Sequence, residues 1–431
     1  MHMNFPRVFL KPKEDLDIRH GQPWVFDNEI SFVKYQTAKG ILQQTLDQCN
    51  LAEGSPVEVY SSGGLSLGTG IMNSRSKITV RLIGSENPSM IFGEHAVFDN
   101  SDSLHSSFTT EFFRKRIQEA MSARFLFYKK TDSYRLVFAE ADLIPGFIVD
   151  RFYDTEGRVF LSVQFLSLSA EIFRLELIDA LRTVVRPFGI YERSDAPVRS
   201  LEGLEFKKGW IGSERNPVIT IRENGVLLSI DLENGQKTGY FLDQKENRRI
   251  VSCLAKGRRV LDTFCHTGAF GLNAVLGGAK EVVAVDISEE AVATTRMNIG
   301  LNKAGHVMQV VQADVFDILR QYETEQRRFD MIILDPPAFA KSASKVDKAY
   351  GGYKEINFRA MRLLVPGGIL VSCSCSHFFD SARFYDMIAN AASDARRKVQ
   401  FFGKHGAGAD HPVLAGYSKS EYLKCAVMRV M

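Results

Sequence analysis

The sequence predicts an α/β fold: a doubly wound, mostly parallel sheet preceded by a small β-barrel and a small α+β domain. Three observations carry that prediction. From about Val218 onward, strand-like runs and helical segments alternate. The runs Arg259-Val260-Leu261, Glu281 to Val285, Met308 to Val311, Met331 to Leu334 and Gly368 to Ser372 are almost continuously aliphatic or β-branched, as parallel strands covered on both faces must be. Acids and glycines recur just past those runs, where such sheets hold their ligands.

At 431 residues the chain is long enough for two to three cores at about 150 residues each. The expected divisions are a barrel over residues 1–85, a connecting helix with an EEHEE-type α+β domain over 86–205, and the doubly wound domain over 206–431. In the first block, Val8-Phe9-Leu10, Pro56 to Tyr60, Leu67 to Ile71 and Ile78 to Leu82 are short strand-like runs separated by glycines. Between them, Lys34 to Asn50 carries four glutamines and little alternation; a loop or weak helix is expected there. From Glu111 to Phe127, apolar residues at helical spacing predict the connecting helix, with Arg114, Lys115, Arg116 and Arg124 interleaved as a solvated face or an RNA contact. Strands around Val137-Phe138, Phe147-Ile148-Val149 and Val159 to Phe165, a helix from Ala170 to Val185 and a strand at Ile190 to Glu192 complete the α+β block.

Composition narrows the function classes. Hydrophobic residues make up 45% and charged residues 24%, and no apolar run approaches the roughly 18 to 20 residues of a membrane span. The first residues lack a secretory pattern, so a cytoplasmic location is expected. Six cysteines are too sparse for a disulfide framework. The Cys373/Cys375 pair lacks a second Cys/His pair at ligand spacing, so no metal is expected. A net charge of +3 permits nucleic-acid binding without demanding it.

The strand ends hold the chemistry. After the first run of the doubly wound domain comes Asp262-Thr263-Phe264-Cys265-His266-Thr267-Gly268-Ala269-Phe270-Gly271. Its glycines let backbone approach a ligand at a helix start, although Phe264 and His266 stand where nucleotide-binding loops usually have glycine. Asp286 follows the second run, in the place of a ribose-binding carboxylate. Ser288 then caps a helix opened by Glu289 and Glu290. Asp314 follows the third run and Asp335 the fourth, as Asp335-Pro336-Pro337-Ala338-Phe339. Singly, each acid could be a helix cap and the prolines a strand terminator; four acids at four strand ends are harder to dismiss.

This pattern resembles class I S-adenosylmethionine-dependent methyltransferases. The resemblance implies that Asp262, Phe264, Thr267 and Gly268 cradle the amino-acid part of S-adenosylmethionine, that Asp286 holds its ribose and that Asp314 meets its adenine. The Asp-Pro-Pro-aromatic corner implies a nitrogen or ring-carbon target rather than dehydrogenase chemistry. The Cys373-Ser374-Cys375-Ser376 run and the block Asn234 to Gln244 narrow the resemblance to large-subunit (23S) ribosomal RNA cytosine-5 methyltransferases with an N-terminal PUA RNA-binding domain. It extends to Trp24-Val25-Phe26, Glu140 to Gly146, Asp410-His411-Pro412 and Tyr422-Leu423-Lys424. Gln244 and Arg248 then fall near the cofactor, ribosomal RNA becomes the partner, and a homodimer is implied.

In that family the nucleophile lies in the Ser-Cys-Ser element, which carries over to Cys375, with Cys373 the alternative in the same local context. The implied chemistry is addition of the thiolate to C6 of an extruded cytosine, with Asp335 stabilising the charge that enters the ring. Lys341, Lys345 and Lys348 follow the corner as a solvated loop or a phosphate contact. Two other functions stay open: methylation of a base nitrogen, for which Cys375 is incidental, and a non-catalytic assembly factor with a vestigial pocket.

Overall fold

The computed structural model describes residues 5–93, 105–235, 238–340 and 342–431. The chain divides into two compact units, residues 1–217, 231–240 and 409–420 forming one and residues 218–230, 241–408 and 421–431 the other. Gln236, Lys237 and Lys341, which the sequence singled out, lie outside the described residues.

In the first unit, β1 (Arg7–Leu10), β2 (Trp24–Phe26), β3 (Ile30–Thr37), β4 (Gly40–Gln44), β5 (Pro56–Tyr60), β6 (Ser66–Met72) and β7 (Ile78–Gly84) form one sheet in the order β2-β7-β6-β5-β1-β3-β4. Strand side chains alternate between faces, and Val8, Leu10, Val25, Val33, Val57, Val59, Met72 and Val80 meet in one buried cluster. Six strands converging on one core curl the sheet into a small barrel. The stretch Lys34 to Asn50 corrects an expectation: it is neither a loop nor a weak helix. β3 and β4 pair as a hairpin, Lys34 opposite Gln43 and Gln36 opposite Ile41, followed by the 3-10 turn Leu46–Gln48. β4 is almost wholly exposed, so no buried face imposes an apolar alternation that sequence could reveal.

Also in this unit, β8 (Tyr134–Phe138), β9 (Phe147–Tyr153), β10 (Val159–Phe165), β11 (Gly189–Ser194) and β12 (Lys207–Trp210) form a second sheet in the order β12-β11-β10-β9-β8. The helices Ser107–Arg124 and Arg174–Val185 share its core through Phe113, Ile117, Leu177 and Leu181, with Leu136, Val149 and Leu161 from the strands. The division expected at residue 205 falls just before β12, which pairs with β11 and so belongs to this sheet.

Arg124 corrects the reading of the connecting helix. Its guanidinium is buried and donates to both oxygens of Asp142, at 2.5 and 2.6 Å, and to the carbonyls of Arg135 and Asp410, both at 2.9 Å. Arg81 likewise bridges Glu140 and Glu202, each at 2.8 Å, and Trp24 Nε1 donates to Glu140 at 2.8 Å. Buried charges persist only when paired in this way. The Glu140 to Gly146 and Asp410-His411-Pro412 elements are therefore structural anchors.

In the second unit, the hairpin β13 (Val218–Glu223) and β14 (Val226–Asp231) precedes a seven-stranded sheet. Its strands are β15 (Arg259–Thr263), β16 (Glu281–Asp286), β17 (Met308–Gln312), β18 (Phe329–Leu334), β19 (Leu364–Ser374), β20 (Val399–His405) and β21 (Lys424–Val430), in the order β17-β16-β15-β18-β19-β21-β20. Pairing is parallel from β17 to β19, and β21 enters antiparallel between β19 and β20. The order reverses at β15, so the ends of β15, β16 and β18 form the switch point where such sheets bind ligands. Pro366-Gly367-Gly368 lies within β19 at a register irregularity, where Phe329 pairs with Leu364 and Met331 with Ile369. Among the described residues no helix is long and apolar enough to cross a membrane.

Candidate active site

The loop from β15 to the helix Ala269–Leu276 solves a problem that sequence left open. Phe264, His266 and Gly268 have φ of +56°, +50° and +73°. Every second residue is left-handed, so Phe264 and His266 take the backbone that glycine would, at roughly 1 kcal/mol or more each. Neighbouring groups hold that strain. Asp286 Oδ2 accepts from His266 N at 2.9 Å, Thr295 Oγ1 donates to the His266 carbonyl at 2.9 Å, and Asn298 Nδ2 donates to the Thr267 carbonyl at 2.9 Å. The Phe241 ring stands edge-on to His266.

Asp262 closes β15 inside the fold. Its Oδ2 accepts from Gly271 N at 2.8 Å, while Oδ1 is buried and has no hydrogen-bond partner among the described residues. Burial raises its pKa to about 8, opposed by the Gly271 N–H and reinforced by the charges of Asp335 and Asp286. The acids at three strand ends therefore converge. Asp286 also accepts from Ser288 N, at 3.0 Å, and Ser288 caps the next helix as expected. Asp314 accepts from Phe316 N at 2.7 Å and caps the helix Val315–Thr324; Ala313 N, just before it, donates to the Asp286 carbonyl at 3.0 Å.

A buried acceptor without a donor, beside a helix start and a left-handed loop, fits a ligand that carries N–H or O–H groups. S-adenosylmethionine has an ammonium group and ribose hydroxyls. Asp262, the loop Phe264 to Gly268, Asp286 and Asp314 are the residues that would hold it.

At the end of β18, half-buried Asp335 accepts from Gln244 Nε2 at 2.8 Å. Asn247 Nδ2 donates to Gln244 Oε1 at 2.6 Å and to the Gly406 carbonyl at 3.1 Å, which fixes the direction of the Gln244 amide. Gln244, expected near the cofactor, is thus brought to Asp335. Arg248 is buried against Glu223, at 2.6 and 2.9 Å, and against the Phe241 carbonyl at 2.8 Å. Past the prolines, Phe339 packs between Phe264, Phe316 and Tyr353.

The two thiols occupy different environments. Cys373 lies within β19, fully buried and opposite Cys425 in the ladder. The hydrogen bond with Cys425 and burial push it well above the ordinary thiol range. Cys375 is half-buried and lies past the last residue of β19. The serines flanking Cys375 tie it to the Asp-Pro-Pro segment. Ser374 Oγ donates to the Tyr353 hydroxyl at 3.1 Å, which also receives Phe339 N at 3.4 Å, and Ser376 Oγ donates to the Ala340 carbonyl at 2.7 Å. Sequence reading missed Tyr353, on the apolar face of the helix Val346–Leu363, where it reads as core. It also gave no role to Lys424, whose Nζ donates to the Ser376 carbonyl at 2.7 Å.

The fold and this site define a class I S-adenosylmethionine-dependent methyltransferase. The S-adenosylmethionine-dependent methyltransferase family matches residues 205–404, and a PUA-like domain matches residues 8–84. The chain is 38% identical over 429 residues to ribosomal RNA large subunit methyltransferase I of Tolumonas auensis, covering 98% of this chain and 99% of that protein. With its counterpart from Photobacterium profundum it shares 36% over 421 residues, 97% of each chain. The chain belongs to the ribosomal RNA large subunit methyltransferase I family. Among solved structures, a putative SAM-dependent methyltransferase from Streptococcus mutans shares the fold, with a TM-score of 0.75 and 22% identity over 98% of this chain and 99% of that one. A putative methyltransferase complexed with SAH matches at 0.76, with 22% identity and the same coverage.

Proposed function

We propose that this enzyme forms 5-methylcytosine in large-subunit (23S) ribosomal RNA, with Cys375 as the nucleophile and Asp335 as its partner across the base. The observation that carries this reading is the tethering of a half-buried Cys375, through Ser374 and Ser376, to the segment that begins at Asp335. An enzyme for an exocyclic nitrogen needs no thiol at that corner.

The target cytosine leaves its stack, because C5 and C6 are out of reach within it. The Cys375 thiolate forms a bond to C6, and the displaced π electrons move toward N3. The Asp335 carboxyl transfers its proton to N3, so no negative charge accumulates in the ring. Gln244, donating to Asp335 and itself held by Asn247, sets the direction of that carboxyl. C5 is then an enamine carbon; bound S-adenosylmethionine supplies an electrophilic methyl group at that position. Loss of the C5 proton to a base, return of the N3 proton to Asp335 and departure of the Cys375 thiolate restore the aromatic ring. Phe339, packed on Tyr353, closes the corner away from water. The PUA-like barrel supplies the RNA-binding surface that a ribosomal RNA substrate requires.

Cys375→Ala tests the assignment. Methyl transfer to RNA is expected to fall at least about a thousandfold, while S-adenosylmethionine affinity changes less than about twofold. A fully active alanine variant shifts the assignment to a base nitrogen.

A further inference from the structure

We propose that Lys424 is a positioning residue that holds the Cys375 thiol as its thiolate, a role that rests on the reading of Cys375 as the nucleophile. Lys424 opens β21 and stands opposite Ser374 in the β19–β21 ladder. Its Nζ donates to the carbonyls of Ser376, at 2.7 Å, and Tyr422, at 2.8 Å. With its backbone paired to residue 374 and its ammonium at residue 376, the side chain spans the position of Cys375. Lys424 is 4% exposed, and among the described residues it forms no ion pair with a carboxylate.

A buried ammonium is costly unless a negative group lies beside it, so it favours the ionised form of a neighbouring thiol. Burial brings the Lys424 pKa down to about 8, and the strongest influence raising it is Cys375, ahead of Asp380 and Glu421. The proton balance is closed within the pair: the thiol gives its proton to the amine, leaving a thiolate and an ammonium. Two of the groups near the thiol stay neutral. Tyr353, which senses both Cys375 and Asp335, is pushed up to about 12 by burial and stays neutral. Cys373 is held protonated beside Cys425. Asp380 and Glu421, the other groups that raise Lys424, are acids and cannot supply a positive charge.

The test is the pH dependence of iodoacetamide alkylation of the full-length enzyme, read residue by residue by mass spectrometry. Cys253, which is exposed, serves as the internal reference thiol. Wild-type Cys375 is expected to ionise about one pH unit or more below Cys253. Lys424→Met is expected to move Cys375 to or above the reference, and Lys424→Arg to keep it low. In parallel, kcat of Lys424→Met at pH 7 should fall about tenfold or more with KM for RNA within about twofold, and part of the loss should return at higher pH. Lys424→Gln keeps a donor for the two carbonyls without the charge, and guards against a folding defect. An unshifted Cys375 titration in either folded neutral variant overturns the proposal. The two readings separate: an inactive Cys375→Ala with an unshifted titration rejects the lysine role alone, whereas an active Cys375→Ala rejects the nucleophile.

Discussion

Asp262 is a carboxylate that the fold keeps short of hydrogen bonds. Its folded pKa, about 8, lies above the unfolded value of 3.8, so the folded state binds the extra proton between the two. The stability that this proton contributes is full below the unfolded value and is lost as pH rises toward the folded one. Asp262→Asn keeps an acceptor for Gly271 N and removes the ionisation. Without cofactor, its thermal midpoint should exceed that of the wild type at pH 8 and change less between pH 4 and 8, while S-adenosylmethionine binding weakens. A wild-type midpoint that is flat over this range contradicts the argument. Cys373 supplies the complementary prediction: buried in the ladder and held protonated, it takes no part in the chemistry proposed for Cys375. Cys373→Ala should keep kcat within about fivefold, because it costs packing rather than a reacting group.

At the scale of elements, two loops build the site, and each is held by side chains from elsewhere in the second unit. The β15 loop holds three left-handed residues, of which one is glycine. His266→Val should destabilise the protein by about 1–2 kcal/mol or more in urea unfolding, because a β-branched residue is poorly accommodated there. His266→Gly should not. The Asp-Pro-Pro segment is tied to the Ser-Cys-Ser element through Tyr353, Ser374 and Ser376. Tyr353→Phe removes the hydroxyl that joins them and should lower kcat about tenfold with little change in the unfolding midpoint. A drop in stability with unchanged kcat would instead mark Tyr353 as a core residue.

For the whole molecule, legibility followed the physics of each region. The parallel strands were readable because burial on both faces leaves only apolar residues, and the strand-end acids followed from them. The β3–β4 hairpin was hidden because an exposed strand needs no apolar face. The loop Asp262 to Gly268 looked degenerate because sequence reports side chains, whereas the feature it retains is backbone φ. The buried charges of the first unit were the least legible: Arg124, Arg81, Glu140 and Asp142 look like surface residues until their partners, as much as 286 positions away in the Arg124–Asp410 contact, are brought in. Arg124→Leu strands Asp142 and two carbonyls, and should cost about 3–5 kcal/mol, seen as earlier thermal unfolding and faster proteolysis of residues 1–217.

The central claim is that one thiol, Cys375, bonds to the cytosine that is methylated. An RNA fragment carrying 5-fluorocytosine at the modified position tests it most directly, since fluorine at C5 cannot leave as a proton and the adduct is trapped. With S-adenosylmethionine present, mass spectrometry should find the methylated base covalently attached to the enzyme at Cys375. An adduct at Cys373, or turnover of unsubstituted RNA with no trapped complex from the fluorinated one, would contradict the account.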